Sequence, residues 1–142
     1  MINRRTLLTA AALTGFAPLR PAFASTTIDF GDLYEKETVF SKLAESLNGQ
    51  AVEMSGFMAP PLKAEATFFV LTRMPMGVCP FCETAADWPS DIVVVYTEEP
   101  ISVVPFNFPI LVSGRLELGV YKDEAMGFVS RVRLVEADFR RS

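Results

Sequence analysis

Apolar residues recur along most of the chain with the two-residue period of β-strands. Such segments are bounded by proline, glycine or polar clusters, and they cover residues 50–58, 66–74, 92–97, 110–121 and 128–135. The segment 92–97 is apolar on both faces, which is typical of a central strand. In the segment 128–135, Arg131 and Arg133 alternate with apolar residues, and this pattern predicts that both arginines face solvent.

One segment before these strands has helical spacing instead. Val39, Phe40, Leu43 and Leu47 form the apolar stripe of a predicted helix over 38–47, and Asn48-Gly49 supplies a stop signal. Residues 25–34 are expected to be extended. The order therefore predicts a mainly β domain, a small five-stranded, partly open barrel like the oligonucleotide/oligosaccharide-binding (OB) fold, with one N-terminal helix. Met54, Met58 and Met126 are expected to fill its core.

The first 24 residues have a different pattern. Arg4 and Arg5 precede a moderately apolar stretch that is too short to span a bilayer, and small residues end at Ala24. This pattern predicts a twin-arginine-type signal peptide over 1–24, cleaved after Ala24. Residues 25–142 are then a single periplasmic domain, with no stable membrane insertion after cleavage.

The net charge of the domain limits which classes of partner it is expected to bind. The chain has 13 basic and 17 acidic residues; the signal removes three arginines and no acidic residue, which leaves 10 against 17 and a net charge of −7. A domain this acidic is not expected to bind nucleic acid, because that binding depends on Lys and Arg at phosphates. The chain has no histidine, which excludes Ser-His-Asp and Cys-His catalysis.

Candidate chemistry concentrates in the connection between the second and third strands. Residues 74–89 hold both cysteines, Cys79 and Cys82, together with two methionines, several prolines and the single tryptophan. Long ordered connections of this kind are usually functional. The Cys-x-x-Cys spacing of Cys79 and Cys82 admits three interpretations.

A disulfide is the first, because two cysteines in an oxidising compartment tend to pair. A metal site is the second, because thiolates at this spacing can face one tetrahedral ion. Zinc would need Glu83, Asp87, water or a second protein as further ligands, whereas Met74 and Met76 would favour Cu(I). Thiol-disulfide exchange is the third, because Cys79-Pro80-Phe81-Cys82 is similar to thioredoxin active-site loops.

The order of several motifs resembles a family of small exported bacterial proteins of unknown function. The motifs are Leu47-Asn48-Gly49-Gln50-Ala51-Val52, Gly56-Phe57-Met58-Ala59-Pro60, the cysteine-bearing loop, and Val112-Ser113-Gly114-Arg115-Leu116. The resemblance implies an OB-like fold and an association with ABC-transporter components, with a link to metal supply. Relatives are expected to carry Cys-x-His and a proline run in the loop, and this chain has Cys82 there instead.

These observations lead to one functional prediction and two alternatives. The predicted function is that of a non-enzymatic periplasmic accessory protein, which binds zinc or copper at Cys79 and Cys82 or acts as partner of an envelope transporter. The alternatives are a thiol-disulfide oxidoreductase acting on exported proteins and an interaction module with a structural disulfide.

Overall fold

The computed structural model describes Gly15 and residues 25–36, 38–61, 65–77, 90–125 and 127–142. These residues form mainly β structure, as predicted. The elements, in chain order, are β1 (Thr26–Thr27), a 3-10 helix (Phe30–Asp32), β2 (Tyr34–Lys36), β3 (Val39–Phe40), α1 (Lys42–Leu47), β4 (Ala51–Met58), β5 (Phe68–Thr72), β6 (Ile92–Tyr96), β7 (Pro109–Asp123) and β8 (Phe128–Arg141).

Five of these strands pair in a ring. The order is β4, β5, β6, β8 and β7, and β7 pairs in turn with β4. All neighbours are antiparallel except β6 and β8, which run parallel. The seam between β4 and β5 is short: only Phe57 and Met58 of β4 pair with β5, while its first residues pair on that side with β1. The ring is therefore partial at this seam.

The interior of the ring holds the main apolar core, because inward and outward residues alternate along each strand. β4 shows this alternation plainly, with Val52, Met54 and Met58 fully buried. The prediction that Met54 and Met58 belong to the core is confirmed, and Met126 lies outside the described residues. β6 is buried on both faces from Ile92 to Val95, as expected of a central strand.

The predicted helix over 38–47 is wrong in its first half. Val39 and Phe40 form β3 and pair with β2, and α1 begins only after Ser41, whose side-chain oxygen accepts a hydrogen bond from the Ala44 N–H at 3.0 Å. The predicted apolar stripe is half right: Phe40 and Leu47 pack against the core, whereas Val39 and Leu43 are exposed. Ala44 is the buried residue of the helix. Ser41 caps the helix about one turn after the predicted start, so α1 begins later than the spacing of apolar residues indicates.

The last two strands are longer than predicted and contain two irregularities. β7 and β8 shift register between Ser113 and Arg115 and again between Leu118 and Tyr121. At the first shift, Glu136 takes a left-handed backbone conformation (φ 49°). Such bulges bend a strand and increase its twist, which helps a short sheet to curve into a ring. Among the described residues, no helix is both long and apolar enough to cross a lipid bilayer.

Candidate functional site: the base of the cysteine segment and a buried arginine

The cysteine segment joins β5 to β6, which are adjacent antiparallel strands of the ring. Cys79 and Cys82, the predicted site residues, fall within 78–89 and lie outside the described residues, as do Glu83 and Asp87. The structure describes both ends of the segment, residues 73–77 and 90–91. It therefore locates the point where the candidate site is attached.

Hydrogen bonds fix this base on both sides. The buried Thr72 hydroxyl lies 2.7 Å from the Met74 carbonyl oxygen and 3.3 Å from that of Phe57, and it donates to both. Across the hairpin, the Arg73 N–H donates to the Asp91 carbonyl at 3.0 Å. The segment thus leaves and re-enters the ring at two points held together by main-chain contacts.

The two methionines before the cysteines differ from those of the core. Met74 is 64 % exposed and Met76 is partly exposed, whereas Met54 and Met58 are completely buried. Gly77 lies against the Phe106 ring, since a Cβ atom placed on it would stand 3.8 Å from that ring. The side chains of the two methionines at the base are thus at least partly open to solvent, unlike those of the core.

Two clefts open at this base, and Arg73 lines both. The larger, of about 520 Å³, also includes Asp29, Asp32 and Met74. The smaller, of about 190 Å³, also includes Lys36. Within the described ranges, no group of three or more Cys, Asp or Glu side chains is arranged to hold a metal ion.

A second cluster surrounds Arg133, which the alternation pattern predicted to face solvent. That prediction is wrong: Arg133 is 7 % exposed. Its Nε donates to Glu117 at 3.0 Å and its Nη1 donates to the Gly119 carbonyl at 2.8 Å, while its guanidinium lies 4.8 Å from the centre of the Tyr121 ring. Because the flanking Val132 and Leu134 belong to the main core, Arg133 points to the outer face of the ring.

Tyr96 completes this outer-face cluster. Its ring meets that of Tyr121 edge to face, with centroids 6.5 Å apart. Burial, and then the hydrogen bond and negative charge of Asp123, raise the pKa of Tyr96 well above its ordinary value of 10.0. The phenol therefore stays neutral and keeps donating to the carboxylate far into the alkaline range.

The sequence held a signal for this cluster that strand alternation alone does not use. Glu117 and Arg133 lie at similar distances before and after the turn that joins β7 to β8, and the structure pairs them directly. Folding a hairpin about its turn predicts such a cross-strand ion pair. Alternation along β8 does not indicate the burial of Arg133, because it does not show that the Tyr121 side chain covers the outer face of this strand.

Two of the motifs on which the family resemblance rests lie among the described residues and have structural roles there. Asn48 accepts a hydrogen bond from the Leu118 N–H at 3.2 Å, and the Gly49 N–H donates to the Leu116 carbonyl, so this pair ties the end of α1 to β7. A Cβ on Gly114 would lie 3.0 Å from that of Ala137, which restricts this position at the bulge to a very small residue. These motifs specify how β4, α1 and β7 meet.

Taken together, the fold and its surfaces define a small β-rich domain with a cysteine-bearing segment between two ring strands. No protein-family model and no curated protein matches the chain. Among solved structures, the chain is similar to the crystal structure of a DUF3299 family protein from Pseudomonas aeruginosa PAO1. The TM-score is 0.55 at 15 % identity, over 84 % of this chain and 97 % of the other. At this identity the likeness concerns the fold, and it agrees with the resemblance to a bacterial family of unknown function.

Proposed function

We propose that this chain is an exported, non-enzymatic binding protein of the periplasm, directed there by a twin-arginine-type signal that is cleaved after Ala24. The position of β1 supports this proposal, because the strand begins at Thr26, two residues after the cleavage site. Processing there would leave every element from β1 to β8 intact.

The fold we propose for it is an OB-like barrel. If the ring strands are counted in chain order from β4, the ring runs first, second, third, fifth, fourth and back to the first, with the third and fifth parallel. A partly open ring of five strands supports this proposal, and OB barrels commonly serve as binding modules. In that scheme, the cysteine segment is the connection between the second and third strands.

The binding function is assigned to Cys79 and Cys82. The observation that carries this assignment is the fixed base of their segment, where the hydrogen bond from the Arg73 N–H to the Asp91 carbonyl holds the two ends together and Met74 stays exposed. Thiolates and nearby thioethers form a donor set suited to Cu(I), and thiolates with carboxylate or water suit zinc. An envelope transporter component is the proposed partner, which would receive or deliver the ion.

The experiment measures metal and free thiol in the protein isolated from the periplasm without chelator. Elemental mass spectrometry should find about one zinc or copper ion per chain, as a two-thiolate site requires. The ion should be absent from a Cys79→Ser, Cys82→Ser variant that melts like the wild type. A Met74→Leu, Met76→Leu variant serves as the matched control: it should weaken Cu(I) binding and leave zinc binding unchanged.

The other outcomes replace the proposal with one of its two alternatives. Metal-free protein with a disulfide that reduces between about −270 and −120 mV would indicate a thiol-disulfide oxidoreductase. Metal-free protein with a disulfide that resists reduction at those potentials would indicate an interaction module in which the bridge is structural.

A further inference from the structure

The two strands of the ring that run parallel, β6 and β8, stay paired over a very short distance. Their pairing ends at Leu134. The chain that follows β6 then turns toward the start of β5, since the Thr97 N–H donates to the Thr67 carbonyl at 2.8 Å. The rest of β8 pairs, among the described residues, with β7 alone. A cleft of about 550 Å³ therefore opens between residues 97–102 and residues 136–139.

Along this cleft β8 presents an open edge. Successive main-chain N–H groups of a strand point to opposite sides. The Ser142 N–H donates to the Pro109 carbonyl of β7 at 3.2 Å, so the Phe139 N–H, three residues earlier, points away from β7. Its acceptor in the described part of the chain is the Asp138 side chain, at 2.9 Å, and not a neighbouring strand. The edge of β8 therefore has main-chain groups with which a further strand can pair.

Acidic and apolar side chains alternate along this edge. Glu136 and Asp138 are exposed, whereas Ala137 is buried in the main core and Phe139 packs against that core. The next outward residue, Arg140, does not line the cleft. The cleft thus has an apolar floor and an acidic margin, in the two-residue period of a β-strand.

The opposite wall of the cleft is acidic as well. Glu98 and Glu99 are exposed, and neither forms an ion pair with a described basic residue. Glu136 lies 3.3 Å from the guanidinium of Arg115, which also pairs with Glu117. Of the described residues that line the cleft, none is basic. The charge of the other carboxylates is therefore not neutralised there.

We infer that this cleft binds an extended segment of another protein, in which lysine or arginine alternates with apolar residues. The segment adds to the edge of β8 as a further strand. Its apolar side chains lie on Ala137 and Phe139, and its cations face Asp138, Glu98 and Glu99. A free cation would use neither the strand edge nor the apolar floor. The site lies at the other end of β6 from the cysteine segment, so it does not depend on the proposed metal binding.

Isothermal titration calorimetry with a blocked Lys-Val-Lys-Val-Lys peptide tests this inference, and a Glu-Val-Glu-Val-Glu peptide should not bind. A Glu98→Gln, Glu99→Gln variant should bind the lysine peptide about fivefold more weakly, because two carboxylates of the cleft are lost. A Glu35→Gln, Glu124→Gln variant is the matched control. It changes the net charge equally at exposed positions outside the cleft, and its affinity should stay within about twofold of the wild type.

Methylation of main-chain nitrogens in the peptide separates strand pairing from charge attraction. Methyl groups on the lysine nitrogens block one edge of the added strand, and methyl groups on the valine nitrogens block the other. One of these two peptides should bind about tenfold more weakly than the other, because it cannot pair with β8. The inference is overturned if the lysine peptide does not bind, if the cleft and control variants bind it alike, or if the two methylated peptides bind equally. Binding of spermidine as tightly as the peptide would also overturn it.

Discussion

Gly56 lies in β4 just before the two residues that pair with β5, at the narrow seam of the ring. A Cβ atom there would stand 2.7 Å from the Thr72 carbonyl oxygen and 2.9 Å from carbons of the Leu71 side chain. The first neighbour is main chain and cannot move aside cheaply. Glycine is required at this position by the close approach of two strands.

We expect Gly56→Ala to lower the free energy of unfolding by about 1–3 kcal/mol, the usual cost of forcing extra atoms into a packed site. Gly31→Ala is the matched control, because nothing lies within 4 Å of a Cβ placed there. Urea titration of both variants measures the difference. Equal stabilities would show that the seam can open to accept a methyl group.

The ion pair between Glu117 and Arg133 links the two strands of the β7–β8 hairpin. A nearly buried guanidinium that loses its carboxylate is left with an uncompensated charge. Because Glu117 is itself partly exposed, at 35 %, we expect Glu117→Gln to cost about 1–2 kcal/mol, between the values for surface and buried pairs.

The matched control for this pair is Glu136→Gln, which removes a carboxylate from Arg115 on the same two strands. There both side chains are exposed, at 63 % and 43 %, so the loss should stay below about 0.5 kcal/mol. Denaturant unfolding of the two variants gives the comparison. The interpretation fails if Glu117→Gln costs no more than its control.

Tyr96 gives the outer face of the ring a predictable response to alkali. Its pKa is raised in the folded protein, so the unfolded chain releases this proton first, near pH 10.0. The stability that Tyr96 contributes is therefore complete below that pH and decreases as the pH rises above it. In Tyr96→Phe this decrease should be smaller than in the wild type, as measured by urea unfolding between pH 8 and 11. Parallel dependence of stability on pH in Tyr96→Phe and the wild type would contradict this prediction.

The sequence predicted the strands of the ring well, because their apolar residues alternate over long, clearly bounded segments. The extended segment expected over 25–34 contains β1, but the 3-10 helix at Phe30–Asp32 and the short pair of β2 and β3 were not predicted, since each has only two or three residues. The Arg133 cluster was missed for a related reason. Alternation identifies two faces of a strand, but tertiary packing decides whether the second face is covered.

For the candidate site, the sequence supplied the residues and the structure supplied their attachment. The spacing of Cys79 and Cys82 predicted a thiol or metal site without indicating where it would stand. The pairing of β5 with β6 now places the root of the segment beside Phe106 and the exposed Met74. That neighbourhood depends on contacts between distant segments, which no local pattern encodes.

At the scale of the whole molecule, ring closure joins distant parts of the chain. β4 pairs with β7 from Ala51 opposite Arg115 to Phe57 opposite Pro109, so the paired residues lie 52 to 64 positions apart in the chain. Contacts of this separation slow folding. The proposed twin-arginine route carries proteins that are already folded, and it would therefore suit a domain that folds slowly.

The predicted export route is tested with Arg4→Lys, Arg5→Lys. We expect this variant to remain unprocessed in the cytoplasm, because the paired arginines are the feature that a twin-arginine translocase reads. Arg20→Lys is the control and should be exported and cleaved after Ala24. Cell fractionation with mass spectrometry of the N-terminus distinguishes the two. Normal processing of the double variant would indicate the general secretory route.

The short strand β1 has a consequence for the handling of the protein. Thr26 and Thr27 cover the edge of β4 where the ring is partial, and the Ile28 N–H adds a bond to Glu53 at 3.0 Å. If the signal is cleaved after Ala24 as proposed, an aminopeptidase that trimmed the resulting N-terminus by a few residues would uncover this edge. Its free main-chain groups would then accept a strand from a neighbouring molecule. N-termini of uneven length are thus expected to promote aggregation in stored preparations, and uniform processing would protect the native fold.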